Sequence, residues 1–221
     1  MESKTGILCH GRHVLANNWE LHQWGDKEKG LLGQVLKTLS LAAKQYPEVV
    51  VFGTGASEKD GLKESEYTIR YMFEHFDEIN EFPQFNGADM QGLKNFMSAH
   101  SVPEKKSQNT LEELKCAMDI FSSYSVSRIF IVSNPDHISR CMQLAHQVYH
   151  DLKPRGLDEI FAAQSDVGYN GTLSVTSKII EMPHRGDDPS PDLSKYIGSY
   201  FRLPLEKKIE FVEQVRKFLG Q

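Results

Sequence analysis

Short stretches that are apolar at nearly every position alternate along this chain with longer ones whose apolar residues recur every three or four positions. "TGILCHG" (5–11) reads as a short buried strand that stops at Gly11. "KGLLGQVLKTLSLAAKQY" (29–46) sets Leu32, Val35, Leu36, Leu39 and Ala43 on one helical stripe. "EVVVFGTGAS" (48–57) is a β-branched run ending in two glycines, and such unalternating runs suit a strand covered on both faces. The spacing predicts helices over 64–79, with Ile69, Met72, Phe73 and Phe76 inward, over 89–100, and over 110–124. "SRIFIVS" (127–133) is the clearest strand, and it runs into a helix over 136–152. Further strands are predicted over 158–165 and 172–182. "PHRGDDPSPD" (183–192) is a Pro- and charge-rich loop, and a last helix over 204–219 opens with Pro204 at an N1-like position.

Strands alternating with helices predict a three-layer, Rossmann-like α/β fold, a mostly parallel sheet with helices on both faces. At 221 residues the chain suits one domain over 1–221, with 183–196 forming a loop or lid within it. In such sheets ligands bind beyond the carboxyl ends of the strands, so the strand-to-helix loops are where chemistry is expected.

Composition narrows the partners. With 39% hydrophobic residues, 25% charged residues and a formal net charge of −5, the chain reads as an ordinary soluble protein with no basic field for nucleic acid or an acidic membrane. Cys9, Cys116 and Cys141 are scattered and form no C-x-x-C pair, which argues against a disulfide framework or thiolate zinc site and for a reducing compartment. The first apolar run is too short for a signal peptide and no 18-residue apolar stretch occurs, so a cytoplasmic location is expected.

Four segments can carry chemistry: "HGRH" (10–13), "GTGASEKDGLKESE" (53–66), "KKSQNTLEE" (105–113) and "SNPDHISR" (133–140). They combine glycines for close backbone approach with hydroxyls, amides, cations and carboxylates, a mixture suited to an anionic small molecule. Capping explains part of this. Thr110-Leu-Glu-Glu113 has the form of a capping box, and Asn134 can cap a helix with Pro135 at N1 and Asp136 in the first turn. Capping does not explain His137 and Arg140, three apart near a helix N-terminus, where a cation is unfavourable unless an anion joins it.

G-x-G-x-x-G, Walker A and G-x-S-x-G motifs are absent from the sequence. His146 and His150 are spaced i, i+4 but lack the zincin pattern, and read as a solvated pair rather than a metal site.

In their order the four segments resemble the YdcF-like (SanA/ElyC-like) family. That family's closing V-T/S-x-x-x-H-x-x-R is matched by Val132, Ser133, His137 and Arg140, and its Asx-Thr-x-x-Glu/Asn segment by Asn109, Thr110 and Glu113. Ser65 and Glu66 match its Ser-Glu pair, and the likeness spans roughly residues 5–152. The chain departs in having only Gly11 in the first loop, beside His10, Arg12 and His13, and in carrying Lys105 and Lys106 where relatives often place an acid. The resemblance implies an α/β domain, and one branch of the family is associated with S-adenosylmethionine.

Residues and resemblance together lead to an enzyme that hydrolyses, or transfers a group of, a small anionic metabolite, nucleotide-like or phosphorylated. His137 would be the general acid or base, with Glu66 or Glu113 as partner carboxylate. Arg140 would clamp the anion, with Arg12 or Lys106 beside it. His10, Gly11, Gly53, Thr54, Gly55 and Ser65 would line the binding loops, with Asn109, Thr110, Ser133 and Asn134 opposite them. Mg²⁺ can enter through the substrate's own phosphates. The alternative is a non-catalytic module that binds a nucleotide or S-adenosylmethionine, with Glu66 or Glu113 on the ribose. A third reading is an interaction protein using the 183–192 loop and the last helix.

Overall fold

Every residue of β1 (Thr5–Cys9) is buried, and the strand sits at the centre of a five-stranded sheet. Its neighbours are β2 (Val49–Phe52) on one side and β4 (Arg128–Ser133) on the other, with β3 (Ser101–Pro103) and β5 (Glu159–Gln164) at the edges. All four pairings are parallel. The computed structural model describes residues 3–152, 154, 156–168 and 204–218. The strand predicted over 172–182 and the 183–196 loop lie outside them. The chain divides into two compact units, Met1–Lys178 and Ile179–Gln221. The second contributes helix α7 (Leu205–Phe218), and all else described here belongs to the first.

Both faces of the sheet are covered, which makes the fold the three-layer α/β arrangement that the unalternating apolar runs predict. Ile7, Cys9, Val50, Phe52 and Val132 face one core with α2 (Gln34–Gln45), α3 (Glu64–Glu74) and α4 (Met90–His100). Leu8, Val49, Val51, Ile129 and Ile131 face the other, with α5 (Thr110–Ser123) and α6 (Pro135–Leu152). The helices against the sheet present their predicted stripes, with Leu36 and Leu39 of α2 fully buried, whereas Ile209 and Val212 of α7, which its spacing predicts to face inward, are exposed. Burying one such side chain contributes about 1.5–3 kcal/mol, so truncating Leu39 to Ala would cost about 2–5 kcal/mol.

Several local elements differ from the sequence reading. The helix predicted from 29 begins at Gln34, because Leu31–Leu32 pair with Gly25–Asp26 in a small hairpin. Gly25 holds φ 126° there, and a Cβ on it would lie 2.1 Å from the Leu31 carbonyl oxygen. A five-residue helix, α1 (Trp19–Gln23), precedes that hairpin, and a second hairpin joins Glu58–Lys59 to Leu62–Lys63. Neither hairpin has strands long enough to show a period. The helix predicted over 64–79 ends at Glu74 and continues as 3₁₀ turns over Phe76–Glu81. Strand β3 is three residues long and ends in Pro103, so no apolar run announces it. No helix among the described residues is long and apolar enough to cross a membrane.

The topology fixes where a ligand would meet the sheet. From β1 the chain steps outward to β2 and β3, then returns past β1 to β4 and β5. The direction reverses between β1 and β4, and a crevice at the carboxyl ends is expected at such a switch point.

Candidate active site

Beyond the strand ends the ladder continues for one more residue. The His10 N–H donates to the Val132 carbonyl (3.0 Å), Gly53 N–H to Cys9 (3.1 Å) and Ser165 N–H to Ser133 (2.9 Å). These bonds fix the height at which each loop leaves the sheet. They place His10, after β1, and Ser133, at the end of β4, side by side at the switch point.

His10 meets Glu113, which α5 carries in from above: His10 Nδ1 and Glu113 Oε2 are 2.6 Å apart, and both side chains are buried. The other carboxylate oxygen of Glu113 accepts the Gly11 N–H at 2.9 Å. Glu113 is free to do this because the helix cap sits one residue earlier than the sequence suggests. Asn109 Oδ1 accepts the Glu112 N–H (3.0 Å), while Glu112 Oε2 accepts the Gln108 N–H (2.8 Å). Glu112 therefore closes the cap, and Thr110 and Glu113 turn toward the sheet.

Two glycines owe their identity to this crowding. A Cβ on Gly53 would stand 1.7 Å from Glu113 Oε1, and one on Gly11 would stand 2.2 Å from Glu64 Oε1. Gly55 is likewise pressed against the Lys105 carbonyl oxygen, 1.9 Å from where its Cβ would be.

From the β4 side, α6 supplies His137 and Cys141. His137 Nδ1 lies 3.1 Å from Ser133 Oγ and 3.3 Å from Cys141 Sγ, and Nε2 lies 3.4 Å from Thr110 Oγ1. Cys141 follows His137 by four residues, so the two stack on one helix face. The His10 and His137 rings meet edge to face with centroids 5.8 Å apart. His137 is half-buried, whereas His10, Glu113 and Cys141 are almost wholly enclosed.

This packing perturbs the charges. Burial alone would lower the pKa of His10, but the Cys141 thiolate and the Glu113 carboxylate lift it well above the ordinary imidazole value. Glu64, buried and bonded to Ser57 Oγ at 2.5 Å, is pushed up to about 7 by desolvation. The Ser57 bond and the Arg12 charge oppose that rise, and the nearby Glu113 carboxylate adds to it. Burial pushes the Cys141 thiol up, and the His10 and His137 rings outweigh it, bringing the thiol down.

No family model, curated protein or solved structure matches the chain.

The structure brings His10, Gly11, Gly53, Thr110, Glu113, Ser133 and His137 into one cluster. Thr54 lines its edge: its methyl would lie 2.5 Å from a Cβ on Gly11, and its carbonyl accepts the Ser65 N–H at 3.0 Å. Ser65 itself is fully buried with an unpartnered hydroxyl, and Asn109 stays outside as an exposed cap. The Asn134 amide donates to the Val167 carbonyl at 2.9 Å and lies 3.5 Å from His22 Nδ1. Arg140 is exposed, a turn beyond His137. Arg12 is half-buried and close enough to Glu64 to act on its charge. Glu66 faces away: it accepts the Lys63 N–H (3.1 Å) and pairs with Lys105 Nζ (3.0 Å).

Glu64, Ser57 and Cys141 do not stand out in the sequence. Glu64 has a signal there: Thr68 and Met72 are buried, and counting back by four along that stripe reaches Glu64 rather than Glu66. Cys141 looks like one more apolar position of α6. Glu104, buried at the end of β3, accepts the N–H groups of Lys106 (2.6 Å) and Ser107 (3.1 Å) and bonds the Ser107 hydroxyl. An acid thus does hold this loop, and Lys105 and Lys106 are exposed beside it. Cavities of about 340 and 260 Å³ flank Glu20 of α1, and neither is lined by a residue of the cluster.

Proposed function

We propose that the chain is an enzyme acting on a small anionic metabolite, nucleotide-like or phosphorylated, by hydrolysis or group transfer, within a YdcF-like α/β domain. One observation carries the reading: a half-buried histidine, His137, stands at the switch point beside a buried Glu113–His10 pair. Acid–base work needs a group that exchanges a proton and can reach a ligand, and His137 is the imidazole of the cluster with an open side. Its Nδ1 is held between Ser133 and Cys141, which leaves Nε2, loosely engaged by Thr110, as the atom that gives or takes a proton. Arg140, exposed one turn on, clamps the anion.

Glu64 takes the role that the sequence suggests for Glu66. With its pKa near 7, it exchanges a proton at neutral pH, next to the Gly11 backbone.

Burial of His10 and Glu113 favours a second reading, a nucleotide-binding module without turnover. The ribose contact expected for it does not fit either carboxylate, because Glu113 is committed to His10 and Gly11 and Glu66 to Lys63 and Lys105.

A thermal-shift screen against nucleotides, sugar phosphates, S-adenosylmethionine and divalent metals, followed by mass spectrometry of each stabilising compound, separates the two readings. A ligand at a hundredfold above its Kd stabilises the fold by about 2.7 kcal/mol. A compound that is consumed supports the enzyme, and His137→Gln should then abolish its turnover while leaving the melting temperature of the free protein within a few degrees. A ligand recovered intact supports the binding module, and unchanged turnover in the variant removes His137 from the chemistry.

A further inference from the structure

We propose that Cys141 is a peroxide-reactive thiol, the residue at which a small hydroperoxide modifies this site. The inference goes beyond the proposed reaction and does not depend on it. Cys141 Sγ lies 3.3 Å from His137 Nδ1 on the same helix face. A second observation comes from the facing strand. His10 gives Nδ1 to Glu113, so Nε2, on the far side of the ring, points away from the carboxylate, and it is buried without a hydrogen-bond partner. The His10 side chain is close enough to Cys141 for each group to feel the other's charge. A thiol between two imidazoles, one of them braced by a carboxylate, is the arrangement that holds sulfur as thiolate.

The peroxide is the oxidant. The thiolate sulfur attacks one peroxide oxygen, and an S–O bond forms as the O–O bond breaks. Sulfur is oxidised by two electrons to the sulfenic acid, and the leaving oxygen is reduced to water or an alcohol after taking a proton from His10 or His137. Cys141 is fully buried, so the reagent must be little larger than water, which selects hydrogen peroxide over bulky disulfides or maleimides. Cys9 packs in the core on the opposite face of the sheet and is not placed to convert the product to a disulfide. The new oxygen would sit beside His137 Nδ1 and displace its contact with Ser133.

The other two cysteines are internal controls. Cys9 is as buried as Cys141 but lies in apolar surroundings, and desolvation pushes it up to about 12, whereas Cys141 comes down to about 6. Cys116 is the most accessible of the three, and its thiol is also pushed up, first by burial and then by Glu104 and Asp119. At pH 7 Cys141 would be roughly thirtyfold richer in thiolate than an ordinary thiol, largely offset by the lower nucleophilicity of a less basic sulfur, for a net advantage of about two- to threefold.

The test is to expose the native protein to hydrogen peroxide at pH 7, quench, trap sulfenic acid under denaturing conditions, and measure all three cysteine peptides by mass spectrometry. Oxidation of Cys141 at least about twofold faster than Cys116, with Cys9 unmodified and the half-rise of the rate near pH 6, is expected. His10→Gln and His137→Gln should each slow it, and native N-ethylmaleimide should spare Cys141. If Cys116 oxidises first, or Cys141 stays reduced while Cys116 reacts, exposure governs reactivity and the assignment fails. The wild-type ranking decides this even if a histidine variant does not fold.

Discussion

The first turns of α3 and α5 each carry two acids, and each turn sends one inward and one outward. At α5, Glu113 goes in to His10 and the Gly11 amide while Glu112 closes the cap. At α3, Glu64 goes in to Ser57 while Glu66 meets Lys63 and Lys105. The inward pair differ in their direct partners: Glu113 meets the His10 ring at 2.6 Å, and Glu64 meets the Ser57 hydroxyl, with the Glu113 carboxylate and the Arg12 guanidinium both near enough to act on its charge. Burial is thus shared, and at Glu64 the Ser57 bond and the Arg12 charge only partly offset desolvation, so that carboxyl takes up a proton near neutrality.

The largest effect should come from Glu113→Ala. It leaves His10 buried beside an empty space and removes the acceptor for Gly11, so a loss of about 3–5 kcal/mol in denaturant unfolding is expected. A loss below about 1 kcal/mol would mean that the pair is not enclosed as described.

Glu64→Gln comes next and tests the other half of the comparison. The folded-state pKa of Glu64, about 7, lies above its ordinary 4.5, so the folded protein holds this proton more tightly than the unfolded chain. The stability it contributes is therefore complete below about 4.5 and lost as pH rises through about 7, by up to about 3 kcal/mol. Gln cannot ionise, so unfolding free energies of the variant should lack that decline between pH 4.5 and 7. Parallel curves for the two proteins would show that Glu64 is ionised throughout.

The smallest effects are expected at the outward acids. Glu66→Gln and Glu112→Gln alter a partly exposed ion pair and a helix cap, and each should shift stability by no more than about 1 kcal/mol. A larger loss at Glu66 than at Glu64 would reverse the inward and outward assignments.

Part of the site is legible in the sequence. His10, Glu113 and His137 stand out there because capping leaves His137 unexplained and because the loops follow apolar strands. Glu64 is hidden by Glu66, which sits two residues on, stands next to a serine and is equally acidic. Two neighbouring carboxylates differ in facing only once the helix start is fixed, and here the short hairpin over 58–63 fixes it. Cys141 is hidden for the opposite reason, since a thiol on an apolar stripe looks like core until histidines are found against it.

The sequence by itself determined the alternation of strands and helices, the two-sided burial of the sheet and the stripes that the helices against the sheet turn inward. These follow from local periodicity, because a residue's burial depends on the face it shares with neighbours three or four positions away in a helix, or two in a strand. Only the tertiary structure decided that a three-residue strand ending in Pro103 completes the sheet. It also set His10 against Glu113, 103 positions apart in sequence, and Cys141 between two imidazoles. Those outcomes depend on strand order and on where each loop leaves the sheet, and a charge responds to whatever lies within a few ångströms, however far along the chain it began.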